Sequence, residues 1–279
     1  MTITDEEVKQ IEARALEIRK TIIEMLAEAK SGHTAGPLGM ADIFAALYFH
    51  VMKHDPKNPA WEERDRLILS NGHITPVRYS TMAHAGYFPV EECLTLRKFG
   101  SRLQGHPERD MLPGVETTSG PLGSGLSQAS GYALAARMDG KKFRIFCLTS
   151  DGEQEEGNTW EGAMFAAKNR LSNLTAILDR NNIQITGNTE DIMPLEPLAD
   201  KYRAFNWHVL EVDGHNMEQV ADAVEEAKAI QEKPTVIIAN TIPGKGVKEI
   251  ENDYKWHGMP PKPEQVDSFV QQIREAAGK

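Results

Sequence analysis

The chain is short of cysteine, of net positive charge and of long apolar runs, and each shortage closes off a class of protein. Its 279 residues contain only Cys93 and Cys147, far apart and in no Cys-x-x-Cys pair. A disulfide framework is therefore not expected, and a reducing cytoplasm is the default setting. Acidic residues (41) outnumber basic ones (31), the formal net charge is −10, and the basic residues are spread along the chain. That argues against nucleic acid or an anionic membrane as partner. No stretch approaches the ~18 consecutive apolar residues that a bilayer span needs. The segment Met1–Lys9 is polar and acidic, unlike a secretory signal. No internal repeat, low-complexity tract or interdomain linker is visible.

What is present is ordinary globular composition, 40% hydrophobic and 26% charged, on a chain long enough to bury a sizeable core. The expectation is a single domain over 1–279 with an N-terminal helical segment and a short C-terminal tail. Thr4-Asp5-Glu6-Glu7 reads as a capping box, and Val8, Ile11, Ala15, Ile18, Ile22 and Leu26 follow at helical spacing. Residues 37–53 read as a second, more buried helix. Short apolar runs at Arg66–Leu69, Phe143–Thr149, Leu174–Leu178, His208–Val212 and Thr235–Ala239 are strand candidates. Helical patterns near 157–170, 195–205 and 216–231 separate the last four, and a short helix is expected near 264–277. Strands alternating with helices predict an α/β fold, three-layer α/β/α, with a mostly parallel sheet. Ligands in such sheets sit beyond the carboxyl ends of the strands, so the loops after 149, 178 and 239 carry the most information.

Two of those loops belong to consecutive strands of one βαβ unit. After Phe143–Thr149 comes Ser150-Asp151-Gly152-Glu153; after Leu174–Leu178 comes Asp179-Arg180-Asn181-Asn182-Ile183. Asp151 then offers a carboxylate oxygen and Asn181 an amide oxygen to one point, and the Ile183 carbonyl completes the chain's share. Magnesium takes about six oxygens and is commonly shared with phosphate groups. Gly152 lets the backbone approach a phosphate closely, and the helix that follows can offer free N–H groups to the anion. Glu153, Glu155 and Glu156 oppose a diphosphate unless a cation offsets them locally. Asp-Gly or Asn-Asn alone is most simply a turn. The two together, one helix and one strand apart, resemble the thiamine diphosphate signature Gly-Asp-Gly…Asn-Asn, with Ser150 in place of the first glycine.

Further motifs narrow the resemblance. Ser31-Gly32-His33, Leu69-Ser70-Asn71-Gly72-His73, Gly105-His106-Pro107-Glu108, Gly120-Pro121-Leu122-Gly123-Ser124-Gly125, Gly244-Lys245-Gly246 and Trp256-His257-Gly258 follow in order. Together they resemble the transketolase family from about residue 10 to 265. Gly123-Ser124-Gly125 is not a dinucleotide loop, because Gln128 stands where the third glycine belongs and no strand precedes it.

The resemblance implies a thiamine-diphosphate-binding fold of the diphosphate type, holding thiamine diphosphate and magnesium or calcium. It implies Asp151, Asn181 and Ile183 as metal ligands. Gly36, His73, Gly120, Pro121, Leu122, Gly152, Glu153, Asn181, Lys245 and His257 become cofactor-binding candidates. His33 and His257 are expected to transfer protons, and His73 and His106 to bind the hydroxyls of the transferred two-carbon unit; imidazole suits both tasks near neutral pH. The other histidines, His50, His54, His84, His208 and His215, are expected to be structural. The family's activating glutamate and its phosphate-recognising basic residues lie in a further, pyrimidine-binding domain whose motifs are not seen here. The expected partner is therefore a separate C-terminal transketolase subunit carrying that domain, in an α2β2 heterotetramer acting on sugar phosphates. A 1-deoxyxylulose-5-phosphate synthase, a 2-oxo acid dehydrogenase α chain and a non-catalytic cofactor-binding module are the alternatives; the second lacks the Leu-Ser-Asn-Gly-His and Trp-His-Gly motifs.

Overall fold

Thr4 caps the first helix, α1 (Asp5–Ala29), as its sequence requires: Thr4 Oγ1 accepts from Glu7 N at 3.3 Å and Glu7 Oε2 accepts from Thr4 N at 2.8 Å. The computed structural model describes residues 3–278; Met1, Thr2 and Lys279, the ends of the expected domain, lie outside the described residues. The helix expected over 37–53 is broken into α2 (Ala35–Gly39), α3 (Ala41–Ala46) and a π-helical turn at Leu47–Val51. Every residue of α2 and α3 is buried. A segment buried on all sides has no amphipathic period from which its breaks can be read.

Next along the chain come β1 (Arg66–Leu69), α4 (Thr75–His84), α5 (Ser124–Met138), β2 (Ile145–Ser150), α6 (Gly157–Lys168) and β3 (Leu174–Arg180). A small hairpin, β4 (Ile183–Gln184) with β5 (Gly187–Asn188), leads into α7 (Thr189–Ile192) and α8 (Leu198–Ala204). The chain then runs through β6 (His208–Asp213), α9 (Met217–Ala229), β7 (Thr235–Asn240) and α10 (Val266–Ala276). All the expected strands are present, and they form one parallel sheet in the order β1-β2-β3-β7-β6.

The sheet is covered on both faces. Phe146, Leu148, Ile177 and Ile237 point into a core shared with α1, α3 and α4. Their strand neighbours Cys147, Ala176, Leu178 and Val236 point into a second core with α5 and α6. Successive residues of a strand face opposite ways, so a strand covered on both sides must be apolar throughout, as β2 and β3 nearly are. Edge strand β6 is mostly half-buried or exposed. Among the described residues no helix is long and apolar enough to cross a membrane.

Register positions the site. Ser150, the last residue of β2, pairs with Asp179 of β3, and Asp179 pairs with Ala239 of β7. The carboxyl ends of three central strands are therefore level, and the loops that leave them share one edge.

Candidate functional site

Asp151 directly follows β2 and is 1% exposed. Its Oδ1 accepts from Gly152 N at 2.8 Å; its Oδ2 accepts from Asn182 N at 2.6 Å and from Arg180 Nη1 at 3.1 Å. Burial pushes its carboxyl up to about 6, against the pull of Arg180. Asn181, one residue past β3, donates from Nδ2 to Asp179 Oδ2 at 2.8 Å and accepts at Oδ1 from Ile183 N at 3.0 Å. Asp151, Asn181 and Ile183 line a single cleft of about 210 Å³, with Gly152, Leu122 and Glu155.

The donor set fits a hard cation and a phosphate. Carboxylate, carboxamide and backbone carbonyl oxygens suit magnesium or calcium. Among the described residues no group of three or more His, Cys, Asp or Glu could hold a metal alone, so a cation here takes Asn181, a carbonyl and ligand oxygens. A Cβ on Gly152 would meet only Gln184 Oε1, at 3.9 Å, which leaves the glycine facing open space. Glu155 Oε1 is buried with no hydrogen-bond partner among the described residues.

Three imidazoles close the cleft. His73 follows β1, His33 precedes α2, and His257 lies in the segment after β7. Their ring centroids stand 4.8 Å (His33–His73), 5.4 Å (His33–His257) and 5.2 Å (His73–His257) apart. His73 and His257 line the cleft, and His33 packs against both. Burial holds His33 and His257 down to about 4, and repulsion from His257 where it is charged, from Arg97 and from His106 adds to the effect on His33. Burial lowers His73 well below its ordinary value. All three are neutral at pH 7, and Nδ1 of His33 and of His257 is buried without a partner among the described residues. His106 is more exposed; a Cβ on Gly120 would stand 3.8 Å from its ring.

Not every expected contact is brought to the cleft. Leu122 lines it, while Pro121 is exposed beside it, its carbonyl accepting from Ser124 Oγ at 2.7 Å. Gly36 is buried against Ile74, where a Cβ would come within 2.9 Å of Cγ2, so it serves the packing behind His73. Lys245 instead lines a separate cavity of about 570 Å³ with Arg19, Asp42 and His215. Its flanking glycines announce a loop but carry no information on where the side chain goes.

Glu153 is a correction of the same kind. It is fully buried, and its carboxylate is used inside the chain. Oε1 accepts from Ser70 Oγ at 2.5 Å and Gly123 N at 2.6 Å, and Oε2 accepts from Ser150 N at 2.9 Å. It ties the ends of β1 and β2 to the start of α5 rather than facing the cleft. The histidines expected to be structural have internal partners: His54 on Tyr48 O, His84 on Thr21, His208 on Glu226, His215 on Asp42, and His50 4.0 Å from Glu7.

The Gly123-Ser124-Gly125 turn is built for close packing. Gly123 has φ +78°, and a Cβ on Gly125 would lie 2.3 Å from Ser70 Cβ. Sequence reading also missed Asp179 and Arg180. The strand was expected to end at Leu178, whereas β3 continues to Arg180. The available signal was Asp179 standing two residues before Asn181, on the same side of an extended chain.

A parallel sheet whose carboxyl edge bears one cleft, with a buried carboxylate, a carboxamide and a triangle of neutral imidazoles, is the architecture of a cofactor-binding α/β enzyme domain. Residues 11–278 match the family model described as "Transketolase, thiamine diphosphate binding domain". The chain is 47% identical, over 87% of its length and 88% of the relative's, to the 6-deoxy-6-sulfo-D-fructose transketolase subunit of Clostridium sp. (strain MSTE9). It is 39% identical to an apulose-4-phosphate transketolase subunit of Phocaeicola vulgatus, over 98% of this chain and 97% of that one. The transketolase structure from Leishmania mexicana superposes with a TM-score of 0.89 at 35% identity, covering 96% of this chain and 41% of that one. The chain belongs to the transketolase family and comprises its thiamine diphosphate binding domain. It spans about two-fifths of the length of the full transketolases it matches.

Proposed function

We propose that the chain is the N-terminal, diphosphate-binding subunit of a two-chain transketolase that moves a two-carbon ketol unit from a ketose phosphate to an aldose. The observation that carries this reading is the cleft itself, where Asp151, Asn181 and Ile183 meet beside His73 and His257. Thiamine diphosphate, when bound, supplies the electron sink that takes up the two-carbon unit. Asp151, Asn181 and the Ile183 carbonyl would hold magnesium or calcium, and Gly152, which faces open space, would leave room for a phosphate near the backbone. Leu122, which lines the cleft, and Gly120 beside His106 would flank the bound cofactor.

His33 and His257, neutral at working pH, exchange protons with the hydroxyls of donor and acceptor. His73 and His106 hold the hydroxyls of the transferred unit. The second chain brings the pyrimidine-binding domain, the carboxylic acid that activates the cofactor and the cationic groups for the sugar's tail. The relatives of matching length, named as transketolase subunits, support this division. The assembly is an α2β2 heterotetramer working in the cytoplasm, a setting in keeping with the free, buried Cys93 and Cys147.

The test is co-expression with the neighbouring C-terminal subunit, then a donor panel of xylulose 5-phosphate, 6-deoxy-6-sulfo-D-fructose, apulose 4-phosphate and pyruvate. The pair is expected to transfer ketol units with at least one ketose donor, and the chain alone with none. Asp151→Ala in the pair should lower turnover by at least ~100-fold and abolish the cation dependence of cofactor binding. Full transfer by the chain alone, or product from pyruvate only, defeats the proposal.

A further inference from the structure

Asp179 has no part in the roles assigned above. It is fully buried on β3, between Ser150 of β2 and Ala239 of β7. Each of its oxygens has one partner: Oδ1 accepts from Thr241 Oγ1 at 2.5 Å, and Oδ2 accepts from Asn181 Nδ2 at 2.8 Å. Burial pushes its carboxyl up to about 7, and whether ionised or carrying its proton on Oδ1 toward Thr241, its Oδ2 accepts and so selects the NH₂ end of the neighbouring carboxamide. The other end, Asn181 Oδ1, is thereby turned toward Ile183 N and the cleft. A carboxamide is nearly symmetric in shape, and only its hydrogen bonds decide which end faces which way. Flipped, it would present nitrogen, which hard cations do not take up.

We propose that Asp179 is the positioning residue of the cation site: it locks the Asn181 carboxamide with its oxygen toward the cation, and Thr241 locks Asp179 in turn. This rests on the reading of Asp151, Asn181 and Ile183 as cation ligands. Outer partners of this kind are commonly worth ~10–100-fold in metal affinity. Thr241 also begins the segment that runs to His257, so one buried carboxylate joins the cation end of the cleft to its imidazole end.

The experiment titrates Mn²⁺ into the full chain with thiamine diphosphate present and reads free Mn²⁺ by its EPR signal. Asp179→Ala is expected to weaken binding by ~10–100-fold. Asp179→Asn keeps an oxygen that accepts from Asn181 and should stay within a few-fold of wild type. Thr241→Val should fall between them. In an Asn181→Ala background, Asp179→Ala should cost nothing further, because its action passes through the missing side chain. Wild-type binding by Asp179→Ala, equal losses in Asp179→Asn and Asp179→Ala, or an additive double variant each overturns the proposal. If Asp179→Ala does not fold by circular dichroism, Thr241→Val and Asp179→Asn decide: wild-type affinity in the first, or a ~10-fold loss in the second, overturns it. Mn²⁺ binding unchanged by Asp151→Ala shows instead that the underlying cation reading has failed, and the proposal with it.

Discussion

Arg180 gives Asp151 a cationic partner of its own. Its guanidinium donates to Asp151 Oδ2 at 3.1 Å, Thr189 Oγ1 at 2.9 Å, Glu190 Oε1 at 2.6 Å and Glu196 Oε1 at 3.1 Å. The side chains of Arg180 and Asp151 are 5% and 1% exposed. Removing one partner of such a buried pair strands the other's charge, at a cost of about 3–5 kcal/mol. Arg180→Met is therefore expected to lower the urea midpoint markedly in the absence of divalent cation. Magnesium with thiamine diphosphate should recover part of that loss by supplying Asp151 with a new counter-charge. A variant as stable as wild type in EDTA would contradict this. At this scale Asp151, Gly152 and Asn181 were legible, because their spacing encodes two adjacent strand ends. Arg180 and Asp179 were not, because the strand is expected to end with its apolar run at Leu178, whereas the ladder continues through both polar residues. Glu153, expected on the cofactor from the family resemblance, instead satisfies three donors in the interior.

Among the elements, the strands and the long helix α1 were plain in the sequence, while α4 and α5 went unread. Helix α5, Ser-Gly-Leu-Ser-Gln-Ala-Ser-Gly-Tyr-Ala-Leu-Ala-Ala-Arg-Met, is rich in small residues and weakly patterned. Its smallness serves contact. A Cβ on Gly125 would meet Ser70, and one on Gly162 of α6 would lie 2.9 Å from Ser127 Oγ. Gly131, in the same helix, has nothing within 4 Å of its built Cβ among the described residues. The two glycines should therefore respond oppositely to alanine. Gly131→Ala removes backbone freedom from the unfolded chain and should stabilise by about 0.5–1 kcal/mol. Gly125→Ala collides with the Ser70 side chain and Cα and should lower the melting temperature sharply or prevent folding. Thermal melts of the two variants side by side check this; equal shifts would show that α5 does not pack as described.

For the molecule as a whole, the half-buried neutral histidines and the buried carboxyls beside them pull the response to acid in opposite directions. In the unfolded chain each histidine takes up its proton near pH 6.5, whereas His33 and His257 in the fold do so only near pH 4. Between those values the unfolded state binds more of these histidine protons, so the histidines' contribution is fully present above about pH 6.5 and is lost as pH falls toward 4; Asp151 and Asp179, pushed up by burial to about 6 and about 7, take up protons earlier in the fold and offset that loss in the same window. In urea midpoints measured from pH 7.5 to 4.5, His257→Asn should gain stability relative to wild type as the pH falls, because it lacks the imidazole that resists protonation in the fold. A difference between the two proteins that stays constant over that range would contradict this. The family resemblance was legible at this scale because its motifs fall at strand ends and turns, where backbone geometry restricts residue choice. The triangle of rings was not, since residues 33, 73 and 257 meet only through the folding of the sheet between them.

The level ends of β2 and β3 have a practical consequence. The separation of Asp151 and Asn181 is set by neighbouring strands in a fixed register, not by the length of chain between them. The turn around the exposed Arg170, where α6 hands over to β3, lies at the opposite edge of the sheet. A peptide tag or a fluorophore inserted there leaves the ladder, and with it the spacing of the two side chains, untouched. That turn is the natural place to attach a reporter to this chain while following how it assembles with another.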